Sequence, residues 1–103
     1  MASQPDAAIA LIQRQIKELD LILEGVARHL NAVAGKERIA KWKSQTVAQL
    51  SQQVGEAVAK RLADTPPGRS FSYDIVEEVS DEAEPYRNLL QALAKEIAKQ
   101  KKG

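Results

Sequence analysis

Residues 5–34 have the sequence PDAAIALIQRQIKELDLILEGVARHLNAVA, and this stretch decides the fold class. Its apolar residues recur every three or four positions, at Ile9, Ile12, Ile16, Leu19, Leu23, Val26, Leu30 and Val33. That spacing places one continuous apolar seam along an α-helix. We therefore predict a long first helix from about Pro5 to Ala34, with Gly35 at its C-terminal cap.

Three further apolar residues, Leu11, Leu21 and Ile22, widen this seam. A stripe wider than a coiled-coil seam packs against more than one neighbour. We expect the seam to lie inside a helical bundle, and Leu11 and Ile22 to face outward as candidate contacts with a second molecule.

The middle of the chain continues the helical periodicity. A second apolar face covers residues 36–64 and is interrupted at Gly55. It predicts either one bent helix or two helices that break near this glycine. Pro66, Pro67 and Gly68 cannot continue a helix, so they predict a loop over about residues 65–72.

The C-terminal part predicts a short helix from about Tyr73 to Val79 and a long last helix from Ser80 or Asp81. Pro85 fits that helix only within its first turn. Acidic residues at its start and lysines at its end suit the helix dipole. We expect the tail, residues 100–103, to fray.

Together these elements predict an all-α fold: one domain over residues 1–103, formed as an antiparallel bundle of three to five helices with long first and last helices. Trp42 is the only tryptophan and shares an apolar face with Ile39. We interpret it as a core anchor rather than an interface residue. The predicted core comprises Ile16, Leu19, Leu23, Val26, Trp42, Leu50, Val54, Leu90, Leu93 and Ile97.

Composition excludes several classes of protein. The chain has 103 residues, no cysteine and a net charge of +1. It therefore has no disulfide and no thiolate metal site. No run approaches the roughly 18 consecutive apolar residues of a membrane span, and residues 1–6 do not resemble a signal peptide. We expect a cytoplasmic protein without a membrane partner.

Catalytic chemistry has no visible basis in the sequence. His29 is the only histidine, and no serine lies in a nucleophile-elbow pattern. Gly35-Lys36 lacks both the earlier glycine and the following Ser or Thr of a phosphate-binding loop. We expect no catalytic residue, no metal ligand and no cofactor, so the chain is predicted not to be an enzyme.

Charge is distributed unevenly along the chain. Residues 35–64 contain six basic and three acidic residues, whereas residues 65–84 contain one basic and six acidic residues. The candidate interaction residues are basic Lys36, Arg38, Lys41 and Lys43, and acidic Glu77 and Glu78. We hypothesise that the acidic stretch of one molecule contacts the basic cluster of a neighbour.

One segment resembles a known kind of domain. Residues 38–46, RIAKWKSQT, lead to Leu50 and then to Val54-Gly55-Glu56. This pattern, with the later Tyr86-Arg87-Asn88-Leu89-Leu90, resembles small helical N-terminal adaptor domains that precede TIR-like or nuclease-like domains in bacterial and archaeal defence proteins. The resemblance covers about residues 36–97. It implies a non-catalytic adaptor in which Trp42, Thr46, Leu50 and Gly55 are structural.

These features predict a protein–protein interaction module, either a homotypic oligomerisation domain or an adaptor domain of a larger bacterial protein. Its expected partner is a second copy, giving a homo-oligomer, or an effector domain. The alternative is a nucleic-acid-binding domain that uses the basic start of the second helix on phosphates.

Overall fold

The computed structural model describes residues 4–102, with side chains described for residues 5–100. This part of the chain forms four helices and no strand. They are α1 (Gln4–His29), α2 (Ala32–Gln53), α3 (Glu56–Asp64) and α4 (Ile75–Lys102). The all-α bundle with long first and last helices is thereby confirmed. Gly103, the end of the tail that we expect to fray, lies outside the described residues.

The described residues form an elongated bundle of 46 × 21 × 20 Å. Helix α1 runs antiparallel to α2 and to α4, and an ion pair between Asp20 and Arg87 joins α1 to α4. Helix α3 folds back along α2. At its end, the carbonyl oxygen of Thr65 accepts a hydrogen bond of 2.8 Å from Lys43 Nζ in α2.

The core lies where the apolar faces of all four helices meet. Trp42 is buried there, which confirms it as a core anchor. Of the predicted core, Leu19, Val26, Leu50, Leu90 and Leu93 are also buried. Ile16, Leu23, Val54 and Ile97 are partly buried and pack against this cluster.

The first helix is shorter than predicted. It ends at His29, and Leu30 adopts a positive φ of 50°. Asn31 then caps α2, since the backbone N–H of Ala34 donates to Asn31 Oδ1 over 3.0 Å. The end at Ala34 was therefore wrong: an asparagine cap starts a new helix inside the apolar repeat. As a result, Leu30 and Val33 leave the seam and are 61% and 69% exposed.

Gly35 is a crossing point rather than a helix cap. It lies inside α2 and is buried. A Cβ atom at this position would lie 2.5 Å from Val26 Cγ2 of α1. The missing side chain therefore allows α1 and α2 to approach closely near their connection.

Gly55 separates two helices, which decides between the two alternatives for residues 36–64. Its φ of 155° and ψ of 151° belong to a region that is accessible essentially only to glycine. The N–H groups of Val54 and Gly55 both donate to the carbonyl oxygen of Leu50, which closes the end of α2.

Helix α4 is continuous, so the separate short helix over 73–79 and the start at Ser80 were wrong. Asp74 begins it, because its Oδ1 accepts from the N–H groups of Val76 and Glu77 at 2.9 and 3.1 Å. This cap lies upstream of the predicted start. The continuous helix therefore includes Pro85 well beyond its first turn, contrary to the prediction.

The loop before α4 accommodates Pro85. Proline has no N–H to donate to the carbonyl four residues earlier, here that of Asp81. Gly68 packs directly against this carbonyl, and its N–H donates to the next one, Glu82 O, over 3.0 Å. A Cβ on Gly68 would overlap the Asp81 oxygen. The loop and the proline-containing turn of α4 thus fit each other.

Candidate interaction surface

The segment between α3 and α4, residues 65–74, exposes two aromatic rings; we call it the aromatic loop. Phe71 is 90% exposed and Tyr73 is fully exposed. They are two of only four aromatic residues in the chain. Burying a ring of this size stabilises a protein or complex by about 1.5–3 kcal/mol. Contact of these two exposed rings with a partner would therefore stabilise the complex.

Hydrogen bonds to α4 hold the aromatic loop in place. Ser70 Oγ donates to Asp81 Oδ2 over 2.8 Å, and Ser72 Oγ donates to Glu77 Oε2 over 2.6 Å. The Gly68 bond described above fixes the start of the same segment. A restrained loop loses less conformational entropy on binding. The candidate residue Glu77 is exposed, and its carboxylate helps to position this loop.

Part of the predicted charge pairing occurs within one molecule. Lys36 Nζ lies 2.9 Å from Glu78 Oε1 and 3.6 Å from Glu82 Oε1. The hydrogen bond that Lys36 Nζ donates to the Glu78 carboxylate raises the pKa of Lys36. Lys36 and Glu78 thus pair within one chain, because α2 and α4 bring them together, and contact between neighbours stays a prediction.

Lys43 also has an internal role. Its ammonium group donates to Thr65 O and lies 4.6 Å from the ring centroid of Tyr86. This contact joins α2 to α4 and to the start of the aromatic loop. Burial, followed by the charge of Glu82, raises the pKa of Tyr86. Lys43 is thus a structural residue of this face.

The other two basic candidates lie on the opposite side of α2, beside α1. Arg38 and Lys41 are exposed, and neither has a salt bridge within residues 5–100. They border a depression of about 340 Å³ that we call the α1–α2 groove. Its lining residues are Glu18, Leu21, Ile22, Arg38, Lys41, Trp42 and Gln45.

The structure corrects the outward placement of Leu11. This side chain is 2% exposed and belongs to the core, because α1 packs on both α2 and α4 and uses its widened stripe internally. Ile22 is partly buried against the core and lines the α1–α2 groove. Leu21, at 55% exposure, is the residue of this stripe that faces solvent.

A buried polar network beneath the groove was not predicted. Gln15 Nε2 donates to Thr46 Oγ1 over 2.7 Å, Thr46 Oγ1 donates to Trp42 O over 2.7 Å, and Trp42 Nε1 donates to Gln15 O over 2.9 Å. Gln15 and Thr46 are fully buried. Gln15 Oε1 has no hydrogen-bond partner within the described residues. The sequence signal was Gln15, which lies four residues after Leu11 and four before Leu19 on the apolar face of α1.

Ionisable groups elsewhere form surface pairs rather than a reactive cluster. The Arg61 guanidinium hydrogen-bonds Glu96 at 3.0 and 3.1 Å, which lowers the pKa of Glu96 and raises that of Arg61. His29 is exposed at the end of α1. In the part of the chain that the structure describes, no three His, Asp or Glu residues are grouped to hold a metal ion.

No helix within residues 4–102 is both long and apolar enough to cross a membrane. No protein-family model matches this chain, and no curated protein or solved structure is significantly similar to it.

Proposed function

We propose that this chain is a non-catalytic protein–protein interaction module whose copies associate with each other. The observation that carries the proposal is the exposure of Phe71 and Tyr73 on a loop that hydrogen bonds restrain. Large aromatic residues are enriched at protein interfaces and dominate their binding energy.

The two rings set the expected strength of association. Their burial contributes about 3–6 kcal/mol in total, whereas a micromolar complex needs about 8 kcal/mol after the cost of association. The rings alone therefore support weak binding, and a stronger complex needs a complementary surface on the partner. Weak binding by single copies suits a module that acts when many copies are close together.

The resemblance to adaptor domains of bacterial defence proteins supplies a context for this proposal. In that context the chain belongs to a larger cytoplasmic protein. Association of the modules would then bring attached TIR-like or nuclease-like effector domains together.

Light scattering on a sizing column tests the proposal. We expect the mass of the wild-type chain to rise above 11.3 kDa with increasing concentration, and the variant F71S/Y73S to stay monomeric. Val33→Ser is the matched control, because Val33 is an exposed apolar residue outside the loop. A wild-type monomer up to about 1 mM, the concentration that corresponds to −4.1 kcal/mol, would contradict the proposal.

Nucleic-acid binding is the second candidate, and the unpaired, exposed Arg38 and Lys41 favour it. Two phosphate contacts give a slope of about −1.8 in a plot of log K against log salt concentration. The test is fluorescence anisotropy of a labelled duplex with the wild type and with R38E/K41E. Absence of binding at about 50 mM salt, where such contacts are strong, would eliminate this candidate.

A further inference from the structure

We propose that the aromatic loop of one copy docks in the α1–α2 groove of a second copy, so that copies join head to tail. The inference rests on the proposed homotypic association and specifies its two contacting surfaces. It follows from three features: the positions of the two surfaces, their charges, and the apolar space between α1 and α2.

The two surfaces lie on opposite sides of α2. Lys36 and Lys43 face α4 and the aromatic loop, whereas Arg38, Lys41 and Gln45 face the groove beside α1. At 3.6 residues per turn, the second set lies about 180° around the helix from the first. The loop of one molecule therefore cannot reach its own groove.

The charges of the two surfaces are complementary. Phe71 and Tyr73 are followed by the exposed carboxylates of Asp74 and Glu77, and the groove is bordered by the exposed cations of Arg38 and Lys41. A second pair of opposite charges also matches: the exposed cation of Arg69 lies in the loop, and the exposed carboxylate of Glu18 borders the groove. Such complementarity favours one orientation of docking and accelerates association.

The groove offers apolar contact for the rings. Leu21 is 55% exposed along it, and Ile22 and Trp42 also line it. The depression is open to solvent and has a volume of about 340 Å³, more than the roughly 150 Å³ of a cavity that holds benzene, so an aromatic ring can lie in it. Docking of the loop would cover the exposed side chain of Leu21.

A contact between two different surfaces leaves one loop and one groove free at the ends of every dimer. Further copies can add there, and the product is a closed ring or a filament. A symmetric dimer, in which loop meets loop or groove meets groove, would stop at two chains. The two arrangements therefore differ in how the mass grows with concentration.

Mixing two complementary variants tests the inference. F71S/Y73S retains the groove, and R38E/K41E retains the loop. We expect each variant alone to have a mass of 11.3 kDa, and their equimolar mixture to form a complex of two chains that does not grow further. The wild type is expected to exceed two chains at the same total concentration.

Two further variants separate specific effects from general ones. K60E/K95E changes the net charge as R38E/K41E does, but Lys60 and Lys95 lie outside the groove, so it should assemble like the wild type. Leu21→Asp introduces a charge on an exposed groove residue and should behave like R38E/K41E in the mixture. Far-UV circular dichroism checks that each variant remains helical.

Each other outcome would overturn the inference in a recognisable way. If R38E/K41E alone assembles like the wild type, the groove is not the docking surface, although homotypic association stands. If the wild type assembles but the mixture does not, association needs both surfaces on the same chain, and the head-to-tail contact is refuted. If the wild type stays monomeric, the proposed function fails as well, and duplex binding lost in R38E/K41E would assign the groove to nucleic acid.

Discussion

Thr46→Val should destabilise the fold by leaving a buried amide without a partner. The Thr46 hydroxyl accepts from Gln15 Nε2 and donates to Trp42 O, both over 2.7 Å, and both side chains are fully buried. Valine has nearly the same shape but no hydroxyl. The unpaired N–H of Gln15 then costs about 1–3 kcal/mol, a large part of the 5–15 kcal/mol typical of a small domain.

Urea unfolding followed by circular dichroism measures this loss. With an m-value of about 2 kcal/mol/M, a loss of about 2 kcal/mol lowers the midpoint by about 1 M. Thr65→Val is the matched control, because Thr65 Oγ1 makes the same bond to the residue four positions earlier, Arg61 O at 2.7 Å, but in an exposed position. We expect it to change stability by less than about 0.5 kcal/mol.

The double variant Q15M/T46V distinguishes a lost hydrogen bond from lost packing. It removes the stranded N–H together with Gln15 Oε1, which has no partner within the described residues. Replacing both partners with apolar groups is nearly neutral, so its stability should return to within about 1 kcal/mol of the wild type. A Thr46→Val protein as stable as the wild type, or a double variant as unstable as Thr46→Val, would refute the reasoning.

Three further predictions concern positions where the structure fixes the sign of the effect. Gly35→Ala should destabilise the fold by about 1–2 kcal/mol, because its Cβ would lie 2.5 Å from Val26 Cγ2. Gly25 lies inside α1, and a Cβ there would meet the Arg38 guanidinium at an ordinary contact distance of 3.4 Å, so Gly25→Ala should stabilise the fold by up to about 1 kcal/mol through helix propensity. Equal effects of the two substitutions in thermal unfolding would contradict this. Burial raises the pKa of Tyr86. The neutral phenol therefore stabilises the folded state below a pH of about 10, and this stabilisation is lost as the pH rises through the folded-state pKa. Tyr86→Phe should lose less stability than the wild type between about pH 9 and 11, and parallel pH profiles of the two proteins would exclude Tyr86 ionisation as the cause. Gly68→Ala should displace the aromatic loop from α4, seen as faster proteolysis within residues 65–74, and unchanged cleavage would show that the loop does not depend on this contact.

The apolar periodicity predicted the helices because burial in a bundle repeats with the helical turn. It did not predict where α1 ends, because the repeat continues through Leu30 and Val33 while the chain already follows the Asn31 cap. Capping chemistry was the better signal there, and the same holds for Asp74 at the start of α4. Periodicity indicates which face of a helix is buried, and N-terminal capping residues indicate where a helix begins.

The candidate surface was only partly predictable. Lys36, Arg38, Lys41 and Lys43 are neighbours in sequence, but α2 sends the first and last toward α4 and the other two toward α1. The partner of Lys36 is 42 residues away, so its pairing depends on tertiary structure. The exposure of Phe71 and Tyr73 likewise depends on how the loop docks on α4.

The buried glutamine has a consequence for how α1 aligns with α2. A seam that repeats every seven residues presents similar apolar surface after a shift of one heptad, so apolar packing alone selects the register weakly. Only the observed alignment places Gln15 opposite Thr46 and within reach of the Trp42 indole N–H. A sliding of α1 by one heptad would move Gln15 away from Thr46 and from the Trp42 indole and break both hydrogen bonds. Gln15, the polar side chain in the apolar stripe of α1, thus selects one register of α1 against α2.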